Sequence, residues 1–151
     1  MTSDALTGAP DTEPKLVRVV AACCIDGGRV LATQRGYGND VGFDETGWWE
    51  FPGGKVAPGE DLADALRREI REELAATIDV HEPIATITHD YPAMRLELTC
   101  FAGTLTSEFH LGEHLTARWL GPADLDTVRW LPADLQLLPI LRRRLLASAG
   151  T

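Results

Sequence analysis

The chain alternates between apolar runs and polar, glycine-rich breaks. Leu16 to Ile25 (LVRVVAACCI) is β-branched and apolar, Asp26-Gly27-Gly28 is a turn sequence, and Arg29 to Arg35 (RVLATQR) is a second run. Two such runs about a glycine turn predict a β-hairpin. Gly36 to Gly47 holds four glycines and three acids and predicts a loop. Loops of this length in compact domains are often functional. Trp48 to Phe51 predicts a short strand, stopped by Pro52-Gly53-Gly54.

The strongest helical pattern follows. Leu62, Leu66, Ile70 and Leu74 recur every four residues with Ala65 beside them, which predicts a helix over 62–74 with one apolar stripe. Asp61 is placed to cap it, and Asp64 adds negative charge to its first turn. Ile78 to Val80 and Ile84 to Thr88 predict strands. Met94, Leu96, Leu98 and Cys100 alternate with Arg95, Glu97, Thr99 and Phe101, a strand with one core face. Arg118 to Leu120 predicts a further strand, and Pro122 to Leu125 a turn of helix. A last helix reaches Ala147, with Leu137, Leu138, Leu141, Leu145 and Leu146 inward and Pro139 in its first turn or at a kink. The order β-β-β-α-β-β-β-α predicts an α+β fold, an α/β/α sandwich with a mixed sheet between helices.

Composition narrows the picture. The 151 residues, 44% hydrophobic and 25% charged, suit one globular domain. Met1 to Lys15 is polar, carries two prolines and lacks the apolar core of a signal peptide. The expectation is a disordered tail over 1–15 and a single domain over 16–151. No run approaches the ~20 apolar residues of a membrane span. Fourteen basic against twenty-three acidic residues give a net charge of −9, which disfavours nucleic acid as a partner. A phosphate-bearing partner would have to be attracted by something other than net charge, for which a metal ion is the natural candidate. Cys23, Cys24 and Cys100 are odd in number and lack CxxC spacing. They read as small buried hydrophobes in a reducing compartment, and the expected location is the cytoplasm.

The chemistry concentrates in Gly53 to Ala76, GGKVAPGEDLADALRREIREELAA. Glu69, Glu72 and Glu73 fall at i, i+3 and i+4, so three carboxylates share one helical face. Like charges this close destabilise a helix unless neutralised, and a hard divalent cation, Mg²⁺ or Mn²⁺, suits them. Alone, the run also reads as a solvated acidic face paired with Arg67, Arg68 and Arg71. The upstream loop favours the metal: Gly53, Gly54 and Gly59 let the backbone approach the helix. Glu60, just before the helix, is placed to bond backbone donors or Arg68.

Gly54, five residues, Glu60, seven residues, then Arg68-Glu69-Ile70-Arg71-Glu72-Glu73 resembles the Nudix box, G-x5-E-x7-R-E-U-x-E-E-x-G-U with U a bulky apolar residue. Every charged position matches. Ala75 stands where the family has glycine, and Ala76 where it usually has Ile, Leu or Val. The resemblance extends over 17–146 and implies the family's α/β/α sandwich. WEFPGGKVAPGE is similar to the MutT-like branch that cleaves nucleoside triphosphates to monophosphate and pyrophosphate. It implies a Mg²⁺-dependent hydrolase that sanitises the nucleotide pool, with a small nucleotide as partner and a monomeric or homodimeric state.

The resemblance also implies roles. Glu69, Glu72 and Glu73 would hold the metal, joined by a carbonyl of Gly53 or Gly54 and by Glu113, six residues before Trp119. The general base is left open among Glu72, Glu69 and Glu113. Arg68 would orient the glutamates, and Glu60 would brace the loop against the helix. Arg35 falls near the base and sugar, and Phe51 lines the base pocket. Asp134, closing Trp130-Leu131-Pro132-Ala133-Asp134, would read a base edge of cytosine or an oxidised purine, and is also a candidate cap for the last helix. Trp48 or Trp49 offers a ring for stacking on the base, whereas Trp119 reads as core. The four histidines have no metal spacing. Tyr91-Pro92 sits near the spacing that marks ADP-ribose, ADP-sugar or dinucleoside polyphosphate hydrolases, which stand as the alternative. A nucleotide-binding module without catalysis is disfavoured because the box glutamates are all present.

Overall fold

The computed structural model describes residues 15–38, 41–114 and 116–149. Four strands precede the first helix: β1 (Leu16–Asp26), β2 (Arg29–Gln34), β3 (Trp49–Glu50) and β4 (Gly53–Lys55). Helix α1 (Leu62–Leu74) is followed by β5 (Ile78–Asp90), β6 (Arg95–Leu105) and β7 (Thr116–Leu120). A 3-10 turn (Pro122–Thr127) and helices α2 (Pro132–Leu135) and α3 (Leu138–Ala149) end the described chain.

The sheet is mixed, as the alternating runs predict. β1 lies parallel to β6, from Leu16 opposite Arg95 to Cys24 opposite Gly103. β4 pairs antiparallel with Val19–Ala21 of β1, while β2 takes the end of β1 at Ile25 and Asp26. β2 also pairs with β7 and β3, and β5 closes the far side antiparallel to β6. The two strands expected between 78 and 88 are one, with register shifts on either side of Pro83. Proline cannot donate to the ladder, so it marks a bulge rather than an end.

Two apolar layers flank the sheet. Val20, Ala22 and Cys24 pack with Ala65, Leu66, Ile70 and Leu74 of α1 on one face. Ala21, Cys23, Val30 and Ala32 pack with Leu137, Leu138, Leu141 and Leu145 on the other. This is the α/β/α sandwich of the sequence reading. Both faces of β1 are covered, so Val20–Cys24 is buried without interruption. Leu146, expected inward, is 58% exposed: it follows Leu145 by one position, about 100° around the helix.

Two further expectations change, those for Gly53-Gly54 and for the cysteines. Gly53 and Gly54 do not merely stop a strand; with Lys55 they form β4, edge-on to β1. Residues 1–14 of the expected tail lie outside the described residues, but the Lys15 carbonyl already accepts the Arg95 N–H at 2.7 Å. Ala75, which stands where the resembled motif has glycine, adopts the left-handed conformation, φ 51° and ψ 37°, and its N–H closes α1 onto Arg71. Cys23 and Cys100 are joined by a disulfide between β1 and β6. That overturns the reading of three unpaired cysteines and removes its support for a reducing compartment. The register sets Ala21 opposite Cys100 and Cys23 opposite Ala102, which brings both side chains to one face. An odd count excluded complete pairing, not a single pair. Cys24 points to the other face, where burial pushes its thiol up to about 12. Among the described residues no helix is long and apolar enough to cross a membrane.

Candidate active site

Helix α1 meets β4 where the glycines lie. A Cβ on Gly54 would collide with the Glu69 carboxylate, and one on Gly53 with the Val20 carbonyl oxygen. Gly54 therefore permits the helix carboxylate to sit directly on the strand, and Gly53 permits β4 to lie close against β1. Gly59, at φ +77°, turns the chain into the helix, and Asp61 accepts the Asp64 N–H at 3.2 Å as its cap.

Arg68 ties this corner together. Its Nε donates to Glu60 Oε2 and its Nη2 to Glu60 Oε1, each at 2.9 Å. Nη1 reaches Glu69 Oε2 at 2.8 Å and Glu72 Oε1 at 3.2 Å, and Nη2 also donates to the Lys55 carbonyl at 2.9 Å. Glu60 Oε1 accepts the Ala57 N–H at 3.0 Å. The hydrogen bonds from Arg68 and Ala57 lower the Glu60 carboxyl to about 2. One guanidinium thus faces three of the carboxylates that the spacing singled out.

Glu73 is placed differently. Its Oε1 is buried without a hydrogen-bond partner. Burial, with the charges of Glu50 and Glu69, raises its carboxyl to about 7 against the opposing pull of His114 and Arg35. Glu73 and Glu113 line a side pocket of ≈ 60 Å³ with Arg35, Gly36, Tyr37 and His114. The Glu113 carbonyl leaves no room for a Cβ on Gly36, so the chain around 113 lies against the end of β2.

A larger cavity of ≈ 290 Å³ opens from the helix carboxylates. Gly53, Gly54, Glu69 and Glu73 line one part; Phe51, Tyr91, Met94, Leu98 and Asp134 line another. Phe51 stacks on Trp130 with ring centroids 4.6 Å apart. Asp134 is buried, and its Oδ2 accepts the Phe51 N–H at 3.0 Å across 83 positions of sequence. Burial and the charge of Glu50 raise its carboxyl to about 8 against the hydrogen bond from Phe51. Asp134 lies inside α2 and does not cap the last helix.

The segment carrying Asp134 is laid along β3 by two backbone bonds, Trp49 N–H to the Arg129 carbonyl at 2.8 Å and Leu131 N–H to the Trp49 carbonyl at 2.9 Å. Trp49 is consequently buried, and Trp48 lies between Phe43 and the Arg129 guanidinium, 3.8 Å from its ring centroid. Neither tryptophan lines the cavity, contrary to the stacking expectation. Trp119 is half-buried against the α1 layer.

Arg35 is fixed by two ion pairs, to Glu45 at 2.9 Å and to Glu50 at 3.0 Å. His114 Nε2 lies 3.2 Å from Glu50 Oε2. Neither Glu45 nor Glu50 was singled out from sequence, although both line the cavity. The signal for Glu50 was its place between Trp49 and Phe51, a charge at the position that faces away from two apolar neighbours. Nothing local marked Glu45 as buried.

The oxygens of Glu69 and Glu73, the partnerless Glu73 Oε1 and the bare Gly54 backbone form a hard donor set of the kind Mg²⁺ and Mn²⁺ take. As the side chains stand, no three His, Cys, Asp or Glu among the described residues converge closely enough to hold a metal ion. Glu69 and Glu72 are turned onto Arg68, which takes up their charge.

The NUDIX domain model matches residues 15–141. The CTP pyrophosphohydrolase of Escherichia coli (strain K12) is 35% identical over 129 residues, covering 82% of this chain and 90% of that protein. A putative 8-oxo-dGTP diphosphatase 2 of Mycobacterium tuberculosis is 35% identical over 140 residues, covering 87% and 92%. Among solved structures, the solution structure of the E. coli ORF135 protein superposes with a TM-score of 0.72 at 30% identity, over 91% of this chain and 94% of that one.

Proposed function

This chain belongs to the Nudix hydrolase family, and from that premise we propose that it hydrolyses nucleoside triphosphates to the monophosphate and pyrophosphate, with cytosine or oxidised-guanine nucleotides preferred. The observation that carries the reading is the single cavity shared by the helix carboxylates and by Phe51 and Asp134. A nucleotide with its base beside Phe51 and Asp134 would direct its phosphates toward Glu69 and Glu73.

The residues divide the work accordingly. Glu69, Glu72 and Glu73, with a Gly53 or Gly54 carbonyl and Glu113, would hold Mg²⁺, with Mn²⁺ as a substitute. The cation, when bound, supplies charge neutralisation at the phosphoryl oxygens and a more acidic water. Arg68 orients Glu69 and Glu72, and Glu60 keeps Arg68 in place through its paired bonds. A carboxylate among Glu69, Glu72 and Glu113 accepts the proton of the attacking water. Arg35, braced by Glu45 and Glu50, flanks the nucleotide. Asp134 accepts from an exocyclic amine when ionised and donates when protonated. Acting on free nucleotides, the chain would work in the cytoplasm as a monomer or homodimer, with neither nucleic acid nor membrane as partner.

The test is turnover with Mg²⁺, read as pyrophosphate release from the normal dNTPs and NTPs, 8-oxo-dGTP and 5-methyl-dCTP and as nucleotide release from ADP-ribose and diadenosine tetraphosphate. A preference for a cytosine or oxidised-guanine triphosphate supports the reading. Turnover confined to ADP-ribose or the dinucleotide would overturn it. Asp134→Ala should shift the order of preferred bases more than the rate with the best one; an equal loss on every base would make Asp134 structural.

A further inference from the structure

The four-residue helix α2 has no side-chain cap; Leu131 stands at its N-cap position. The N–H of Ala133, in its first turn, therefore lacks an intrahelical acceptor and is buried. The acceptor comes from 42 positions away: the Tyr91 hydroxyl takes the Ala133 N–H at 2.9 Å. The next residue, Asp134, sends its carboxylate the other way to the Phe51 N–H. Helix α2 is thus tied on one side to the end of β5 and on the other to the β3–β4 junction, and Tyr91, Phe51 and Asp134 all line the cavity.

Tyr91 is well placed to serve as an anchor. Its N–H donates to the Met94 carbonyl at 2.8 Å, and its ring packs against His89 and Phe43, with centroids 4.6 and 6.1 Å away. Burial pushes its phenol above the ordinary range, so the hydroxyl keeps its proton while its oxygen accepts the Ala133 N–H. From these contacts we infer that the Tyr91 hydroxyl is a positioning group for Asp134: it sets the depth at which the carboxyl meets the base, and the choice of base depends on it.

The inference rests on the base-reading role proposed for Asp134, and the experiment separates the two. Kinetics with preferred and non-preferred nucleotides are compared for the wild type, Tyr91→Phe, Asp134→Asn and Gln136→Ala. Gln136 also ties α2 to β5, through His89 at 2.9 Å, but on the exposed surface. Tyr91→Phe should narrow the ratio of kcat/KM between bases by about tenfold, chiefly through KM. Gln136→Ala should leave the ratio unchanged. A changed ratio in Asp134→Asn with none in Tyr91→Phe overturns the inference alone. An unchanged ratio in Asp134→Asn overturns the base-reading role and the inference with it. Equal changes in Tyr91→Phe and Gln136→Ala would mark general loosening and overturn it too. Amide exchange in the wild type needs no variant: the Ala133 N–H should be protected, and exchange at the rate of an open chain would refute the anchor.

Discussion

Arg68 and Glu60 form a two-pronged ion pair, Nε and Nη2 each 2.9 Å from one carboxylate oxygen. The pair joins the glycine loop to α1 while the remaining donor, Nη1, holds Glu69 and Glu72. Loop, helix and the Glu60, Glu69 and Glu72 carboxylates therefore depend on one side chain.

Replacing Arg68 by Gln leaves Glu60, Glu69 and Glu72 facing one another without a counter-charge. We expect kcat/KM to fall by about 10²-fold, the scale of a small misplacement of reacting groups. The melting temperature should fall in chelator and recover in part when Mg²⁺ is added. Thermal denaturation with and without the metal checks this; a loss of stability indifferent to Mg²⁺ would count against a metal held by these glutamates.

Glu72→Gln is the complementary change. The side chain is 58% exposed, so its removal should barely alter stability. Turnover should fall by at least about 10²-fold if Glu72 holds the cation. Steady-state rates and melting curves on the same preparation decide it, and unchanged activity would remove Glu72 from the metal site.

Gly54→Ala tests the close approach of strand and helix. The added Cβ meets the Glu69 carboxylate, the far end of a flexible side chain, so the carboxylate should yield rather than the fold. The expected result is a melting temperature near that of the wild type with about 10–10²-fold lower kcat/KM.

Asp134 should make stability fall as the pH rises. An unfolded aspartate titrates near about 3.9, whereas folded Asp134 lies at about 8 because it is buried near Glu50. Between those values the folded chain keeps a proton that the unfolded chain releases. This contribution is full below about pH 4 and is lost as the pH climbs through 8. Melting temperatures from pH 5 to 9 in chelator should drop less steeply in Asp134→Asn than in the wild type. Glu73, raised to about 7, acts with the same sign and keeps some slope in the variant.

Ala75→Gly should stabilise the chain. Ala75 occupies φ 51°, where a Cβ is strained, and glycine relieves it by about 1 kcal/mol. The melting temperature should rise by a few degrees with activity unchanged; a fall would show that the greater freedom of unfolded glycine outweighs the strain.

Much of the corner around Arg68 was legible in the chain because it is local. The apolar stripe through Leu66, Ile70 and Leu74 selects the helix and its buried face. Glu69, Glu72 and Glu73 then take positions that helical geometry alone dictates, with Glu60 and Gly54 only a short loop away. The sandwich was legible for the same reason, since alternation and turn chemistry act between near neighbours. The central strand, however, is covered on both faces and shows no alternation by which to choose its partners.

What tertiary structure alone decided is remote in sequence. The Phe51–Asp134 and Tyr91–Ala133 hydrogen bonds, the Cys23–Cys100 bridge, and the seating of Glu45 and Glu50 on Arg35 join separate elements. No periodicity records such contacts, because they arise from the register in which strands pair and the depth at which helices settle. The sequence by itself determined which carboxylates share a helix and what cation chemistry suits them. The seating of α2 between the end of β5 and the β3–β4 junction decided that Asp134 meets Phe51 in the same cavity, because a buried carboxyl must find a donor and the Phe51 N–H supplies it.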